Sequence, residues 1–239
     1  MPRNWYDAHV INILDEAPQV KRFFLRLESQ DTFTFKAGQF MTFDLPVGEK
    51  RLDRWRSYSI ASPPTHDQTI ELCISRLEGG RGSGYFFDEV AVGTVLKCKG
   101  PEGVFLLPET DKKVVMICTG TGIAPFRSMI RDAYAKGSEQ QFHLIFGCRK
   151  ESDILYREEF EALSRDVPEK FSYDVCISRE QVEGFHHGYV HQVYEQSYGA
   201  GVDHMFMLCG WTPMVDQAKT NLKEHLQVAE GNIICELYG

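Results

Sequence analysis

The chain has 239 residues, enough for one large domain or two modest ones, and its 43% hydrophobic and 25% charged residues are ordinary for a globular protein. A net charge of −8 argues against general affinity for nucleic acid or anionic membranes, and no apolar run approaches the roughly 20 residues of a membrane helix. Seven scattered cysteines without a Cys-x-x-Cys pair argue against a disulfide framework or a cysteine-held metal, and the opening Met1–Trp5 lacks the apolar stretch of a leader, so a cytoplasmic monomer without a membrane span is expected.

Up to about residue 108 the rhythm is that of strands. Alternating, β-branched and aromatic runs recur at Tyr6–Leu14, Val20–Leu27, Gln39–Leu45, Tyr58–Ala61, Thr69–Leu77 and Thr94–Lys99, separated by turn-forming Gly and Pro residues. Six short strands predict a small antiparallel, Greek-key-like barrel. One helix is predicted inside it, over Ser83–Val90, with Ser83 as its N-cap.

After Pro108 strands and helices alternate. Strands are predicted at Val114–Cys118, Phe142–Gly147, Tyr173–Ile177, Met205–Cys209 and Ile233–Leu237. Helices are predicted at Ile123–Lys136, Asp153–Arg165, Val190–Gln196 and Pro213–Leu226. That order means a doubly wound parallel α/β domain, which binds ligands outside the carboxyl ends of its strands. The division is therefore 1–108 and 109–239.

Four short stretches carry chemistry. Thr119-Gly120-Thr121-Gly122-Ile123-Ala124-Pro125 lies where the first parallel strand turns into a helix. Glycines there let backbone N–H groups approach a pyrophosphate, although a tight turn without a ligand would look the same. Cys209-Gly210-Trp211 repeats the pattern at a later strand end, where Cys209 taken alone reads more readily as a small buried hydrophobe. Arg56-Ser57-Tyr58-Ser59 puts a cation, a ring and hydroxyls on one strand, with Arg56 and Tyr58 on one side and Ser57 and Ser59 on the other. Gly80-Arg81-Gly82-Ser83 is a second phosphate cradle or a flexible connection.

Together with Gly100-Pro101-Glu102-Gly103-Val104-Phe105, these stretches stand in an order that resembles the ferredoxin–NADP reductase superfamily, over nearly the whole chain. The resemblance implies a flavoprotein oxidoreductase of electron transport. Residues 1–108 would bind FAD, with FMN as the alternative, and 109–239 would bind NAD(P). Arg56 would hold the flavin pyrophosphate, Tyr58 would pack on the isoalloxazine, and Ser59 would hydrogen-bond near its reactive nitrogen. Cys73-Ile74-Ser75 and Arg81-Gly82-Ser83 would line the ribityl and phosphate portions. Thr119, Gly120, Thr121, Gly122 and Pro125 would carry the nucleotide pyrophosphate, with Gly147, Gly210 and Trp211 at neighbouring strand ends, and Cys209 would sit beside the nicotinamide.

The ending Glu236-Leu237-Tyr238 resembles the plant-type members, in which the Tyr stacks on the flavin face that nicotinamide must reach. Tyr238 would then be a gate, and Glu236 would polarise the site or relay protons; Gly239, which follows, departs from that pattern. Ser178-Arg179 and Tyr189 resemble the 2′-phosphate and adenine contacts of NADP-selective members, so NADPH is expected, with NADH open. His187-Gly188 and Ser75 stand where those members have lysines. His186-His187 is read as a solvated pair on a glycine-flanked loop, without metal.

The resemblance further implies a separate one-electron acceptor, a ferredoxin or flavodoxin. The alternatives are an oxygenase reductase component, a free-flavin reductase, and a non-catalytic nucleotide-sensing subunit. Arg51, Arg54, Arg76, Arg81, Lys97 and Lys99 are candidates for a basic patch that would steer an acidic carrier.

Overall fold

The structure, a computed structural model, describes residues 5–28, 33–65 and 67–238. It forms two compact units. One is built on the chain up to Leu107 together with Ala124–Asp132; the other is built on Pro108–Ile123 and the chain from Ala133 onward.

The first unit is an antiparallel sheet of β1 (Trp5–Ala17), β2 (Val20–Glu28), β3 (Phe40–Asp44), β4 (Trp55–Ser59), β5 (Thr69–Ser75) and β6 (Val95–Glu102), in the order β4-β3-β6-β1-β2-β5. A bridge between Ile60, just past β4, and Leu72 of β5 draws the two edges together, as a barrel requires. Strand alternation fills the interior: in β2, Phe23, Leu25 and Leu27 are fully buried while Arg26 and Glu28 are exposed. Two short helices interrupt the strands, α1 (Arg51–Arg54) and α2 (Arg81–Asp88). Phe86 of α2 packs edge-on against Phe23 and Phe43, with ring centroids 5.1 and 5.8 Å away, and so seats α2 on the barrel core.

Residues 124–132 join this unit through buried polar bonds. Arg127 Nη1 donates to Glu71 Oε2 and to the Ala61 carbonyl, each at 3.0 Å, and Ser128 Oγ donates to the Ser62 carbonyl at 2.7 Å. Glu71 also accepts from Arg22 Nε at 2.7 Å, so its buried carboxylate is held by two guanidinium groups.

The second unit is a parallel sheet of β7 (Val114–Thr119), β8 (Phe142–Cys148), β9 (Phe171–Ile177), β10 (His186–His187), β11 (Met205–Trp211) and β12 (Ile233–Tyr238), in the order β10-β9-β8-β7-β11-β12. Its helices are α4 (Arg157–Asp166), α5 (Val190–Ser197) and α6 (Thr212–Glu224), while α3 (Ile123–Ala135) has its middle, Ala124–Asp132, in the first unit. Val114–Cys118 is buried throughout, the continuous apolar run of a strand covered on both faces. The strand order reverses between β7 and β11, so the crevice of the sheet opens at their carboxyl ends.

The barrel and doubly wound sheet are those expected from the sequence. Three local readings change. The barrel helix starts at Arg81 with Gly80 as its cap, and Ser83 lies inside its first turn. The helix read from Asp153 starts at Arg157, because Tyr156 adopts a left-handed φ of +52° that separates α4 from a short 3-10 turn at Glu151–Asp153. His186 and His187 are exposed as expected, but they form a two-residue strand paired in parallel with Cys176 and Ile177 rather than a loop.

Candidate functional site

In the barrel unit Arg56 and the start of α2 form one cradle. A Cβ on Gly82 would lie 2.7 Å from Arg56 Cγ and 3.1 Å from its Nε, so only glycine lets this arginine lie along the first turn of α2. There the first N–H groups of the helix are unsatisfied by the helix itself, and a guanidinium crosses them. This combination suits a phosphate. Arg56 is steadied from the other side, since its Nη1 donates to the carbonyls of Leu52 at 3.0 Å and Trp55 at 2.7 Å. Arg81 is tied to the same segment through Asp53 at 2.6 Å.

Tyr58 stands half-buried two residues beyond Arg56, its ring 5.1 Å from Phe86 and 6.0 Å from Phe43. Burial pushes its hydroxyl up to about 12, against the opposing pull of Arg56, so it is a neutral ring at neutral pH. Ser57 points to the opposite face of β4 and pairs with Thr42 Oγ1 at 3.0 Å, away from the cradle. Ser59 is buried at the strand end. The Ser83 hydroxyl accepts from Leu77 N–H at 3.0 Å and lies 3.2 Å from the Gly80 carbonyl, clasping the loop that enters α2. Cys73 is buried, Ile74 belongs to the barrel core, and Ser75 is exposed, so Ile74 can line a ligand only through its backbone.

The α/β unit builds its cradle from backbone. Gly120 has φ +52° and nothing within 4 Å of where a Cβ would sit, leaving open space over the turn. Gly122 is the opposite case: a Cβ would meet the Cys209 carbonyl oxygen at 2.4 Å and Gly210 Cα at 2.9 Å. Gly210, at φ +135°, lies against Thr119, whose Oγ1 would be 2.7 Å from a Cβ there. Two glycines thus lock the Thr119–Gly122 turn onto the end of β11 at the crevice. Thr121 is half-buried on this turn, and Pro125 is the third residue of α3, where its missing N–H leaves no internal bond unmade. Gly147 is the penultimate residue of the neighbouring strand, where a Cβ would meet Val190 at 2.9 Å and Thr119 at 3.0 Å.

Cys209 pairs in register with Cys118 of β7 and with Glu236 of β12, and Trp211 pairs with Tyr238. Burial first, and then the adjoining Glu236, push the Cys209 thiol well above its usual range, opposed by a hydrogen bond from Tyr238. This thiol is therefore protonated and packed, a small neutral group rather than a nucleophile. Trp211 is exposed, while Glu236 and Tyr238 are half-buried. Gly239, singled out as a departure, and Met1–Asn4 of the leader argument lie outside the described residues.

The loops after β8 and β9 adjoin one another. Arg179 N–H donates to the Arg149 carbonyl at 2.9 Å, and Ser178 Oγ donates to that of Cys148 at 3.2 Å. Arg149 and Arg179 are both exposed, and Tyr189 presents 68% of its surface at the cap of α5. Arg149 escaped the sequence reading. Its signal was position: it follows β8 as Arg179 follows β9. The histidines have partners, His186 Nε2 with Asp174 Oδ1 at 2.8 Å and His187 Nδ1 with the Glu180 carbonyl at 3.0 Å.

The cations of the expected basic patch are matched in the fold. Arg54 is paired with Asp44, Arg76 with Asp88, Arg81 with Asp53, Lys97 with Asp7, and the buried Lys99 with Glu102. Arg51 stacks over Trp55, 4.9 Å from its ring centre. Cations matched one by one with carboxylates give little net field to steer a partner.

Residues 7–106 match the family model described as oxidoreductase FAD-binding domain, and 116–220 match that described as oxidoreductase NAD-binding domain. The chain is 31% identical to ferredoxin–NADP reductase B of Sorangium cellulosum over 98% of its own length and 97% of the relative's. It belongs to the ferredoxin–NADP reductase superfamily. This reductase is accordingly a flavin-dependent NAD(P)H oxidoreductase with FAD and a nicotinamide nucleotide as its cofactors.

The reductase is also 31% identical to the phenol hydroxylase P5 protein of Acinetobacter pittii over 92% of its length, and it spans 62% of that relative. Among solved structures, a cytochrome P450 reductase of Amycolatopsis superposes with a TM-score of 0.89 at 27% identity, covering 99% of this chain and 70% of that one. A ferredoxin–NADP+ reductase of Neisseria gonorrhoeae with bound FAD and NADP shares the fold at 21% identity and a TM-score of 0.82, covering 98% of each chain. The cradle at Arg56 and Gly82 and the open turn at Gly120 fit the pyrophosphates of the two cofactors. Among the described residues no helix is long and apolar enough to cross a membrane, and no group of three or more potential metal ligands occurs.

Proposed function

We propose that this reductase takes reducing equivalents from NADPH and delivers them singly to a separate carrier protein of the ferredoxin or flavodoxin type. The reading assigns FAD to residues 1–108 and NAD(P) to residues 109–239. Bound FAD would supply the conversion of a hydride into single electrons, chemistry that no side chain offers. The protein's part is to bind, orient and exclude water.

Arg56 and the α2 N-terminus would hold the flavin pyrophosphate, with Arg81, Gly82, Ser83 and Cys73–Ser75 around it. Tyr58 would pack on the flavin ring and Ser59 would donate a hydrogen bond to it. Thr119–Gly122 and Pro125, backed by Gly147 and Gly210, would take the nucleotide pyrophosphate. Cys209 would give the nicotinamide a close, unreactive neighbour, Glu236 would set the local charge, and Tyr238 with Trp211 would shield the ring.

The observation that supports the reading is the pair of cradles, one in each unit, each with a glycine whose Cβ would clash with the group that shapes it, Arg56 at Gly82 and the Cys209 carbonyl at Gly122. NADPH is favoured over NADH because Ser178, Arg179 and Arg149 come from adjoining loops and Tyr189 is exposed beside them. A carrier in trans is favoured because the seven cysteines lie in separate elements, five of them buried. Relatives named as electron transfer or reductase components of oxygenases support a second reading, in which the acceptor is an oxygenase component.

The test is steady-state turnover with NADPH and NADH against ferricyanide, a ferredoxin, a flavodoxin and free flavin. A yellow protein with stoichiometric FAD, a lower KM for NADPH and turnover of a carrier are expected. A colourless protein that reduces only free flavin would overturn the proposal.

A further inference from the structure

We infer that the outer edge of β12 is a self-association surface, on which β12 of a second copy of this chain pairs in antiparallel order. An open strand edge offers a row of backbone N–H and C=O groups to another chain, so proteins blunt such edges by shortness, bulges, Lys, Pro or closure. The other edges among the described residues are blunted in these ways. β4 and β5 are drawn together by the bridge between Ile60 and Leu72. β10, on the far side of the parallel sheet, is two residues long. The part of β1 that runs on past its pairing with β6 breaks register between Val10 and Asn12 and again between Asp15 and Ala17.

β12 has none of these devices. It ends the sheet order beside β11, keeps unbroken register with it from Ile233 to Leu237 and on to Tyr238, and holds no Lys, no Pro and one charge, Glu236. Cys235 is exposed and Leu237 presents 53% of its surface, both on the face of the strand opposite to Glu236. The occupant follows from what this strand would meet in itself. Centred on Cys235, two antiparallel β12 strands set Leu237 against the partner's Ile233 and Glu236 against the partner's Ile234. Each strand then covers apolar residues of the other, and the two carboxylates stay apart. Centring on Glu236 instead would put like charges face to face. In the favoured register Cys235 faces the partner's Cys235 with Cα atoms about 4.5–5.5 Å apart, inside the range of a disulfide. One short strand makes a small contact, so the expected dimer is a weak one.

The holoprotein is followed by sedimentation velocity under reducing conditions, from about 5 to about 200 µM, the range in which a weak interface fills. A shift from monomer to dimer is expected in wild type and in Cys235→Ser. Cys235→Lys sets two ammonium groups face to face and should weaken the dimer at least about tenfold while the protein keeps its flavin. Diamide, an azo oxidant, is then added at the highest concentration. Each Cys235 thiol gives up one proton and one electron, the two sulfurs bond, and diamide is reduced to its hydrazine. Peptide mapping of wild type should find Cys235 linked to Cys235 between chains. Wild type that stays monomeric, a dimer that Cys235→Lys leaves as strong, or a dimer without that link would each overturn the inference. So would a monomer whose sedimentation shifts only on adding a ferredoxin or flavodoxin and whose shift Cys235→Lys removes, since the edge would then belong to a carrier.

Discussion

The barrel and the α/β half answer the same chemical problem, a pyrophosphate, by different means. In the barrel the answer is a side chain: Arg56 lies across the start of α2, and Gly82 is shaped to admit it. In the α/β half it is the backbone, a turn pinned to β11 by Gly122 and Gly210 with empty space over Gly120. The surroundings differ too. From Pro108 onward 20 acidic residues face 13 basic ones, whereas the first 107 residues are nearly balanced. A net acidic domain binds a dianion better through fixed local N–H groups and a few placed arginines than through its general field.

The comparison is sharpened most by removing the side chain on which the barrel depends. Arg56→Ala should weaken FAD about a hundredfold, the value of two charge-assisted hydrogen bonds, and leave nucleotide binding intact. Flavin retained on gel filtration reads the first, and calorimetry with NADP+ the second. The backbone solution should break differently. Gly122→Ala drives a Cβ into the Cys209 carbonyl, which belongs to a strand and cannot swing aside. It should cost about 1–3 kcal/mol of stability and abolish nucleotide binding while the protein stays yellow.

A smaller effect is expected from Ser59→Ala. Loss of one hydrogen bond to the flavin should slow flavin reduction by NADPH about tenfold with FAD still bound. Stopped-flow reduction at the wild-type rate would remove Ser59 from the site.

The smallest effect concerns pH. Burial raises the thiols of Cys118, Cys148, Cys176 and Cys209 and the phenols of Tyr134, Tyr173, Tyr194 and Tyr198, all in the α/β half. In the barrel, among the described residues, burial likewise raises Cys98, Tyr58 and Tyr85. An acid whose folded pKa is raised keeps its proton longer when folded, so stability declines once pH passes the unfolded value, near 9 for the thiols, and goes on declining towards about 12. The α/β half should therefore loosen first in alkali. NAD(P) binding lost before FAD, followed between about pH 9 and 11, would check this.

Much of this was legible in the sequence because it is locally encoded. Period-two alternation in Val20–Leu27, the apolar run Val114–Cys118 and the strand–glycine–helix order at Thr119–Pro125 depend on neighbours along the chain. So did the family, since its motifs are short and ordered. Other features were not legible, because they depend on residues distant in sequence. Nothing near Arg127 says that its guanidinium is held by Glu71 and the Ala61 carbonyl. The six cations of the supposed patch looked free until the fold set carboxylates beside five of them and a tryptophan beside the sixth.

By itself, then, the sequence determined the elements, their order and the residue types at each turn, because backbone preference and burial pattern act over a few residues. Only the tertiary structure decided which glycine must stay bare, that Arg149 joins Arg179, and that His187 pairs with Ile177. Those are contacts between strand ends, and strand ends become neighbours only when the sheet closes its register.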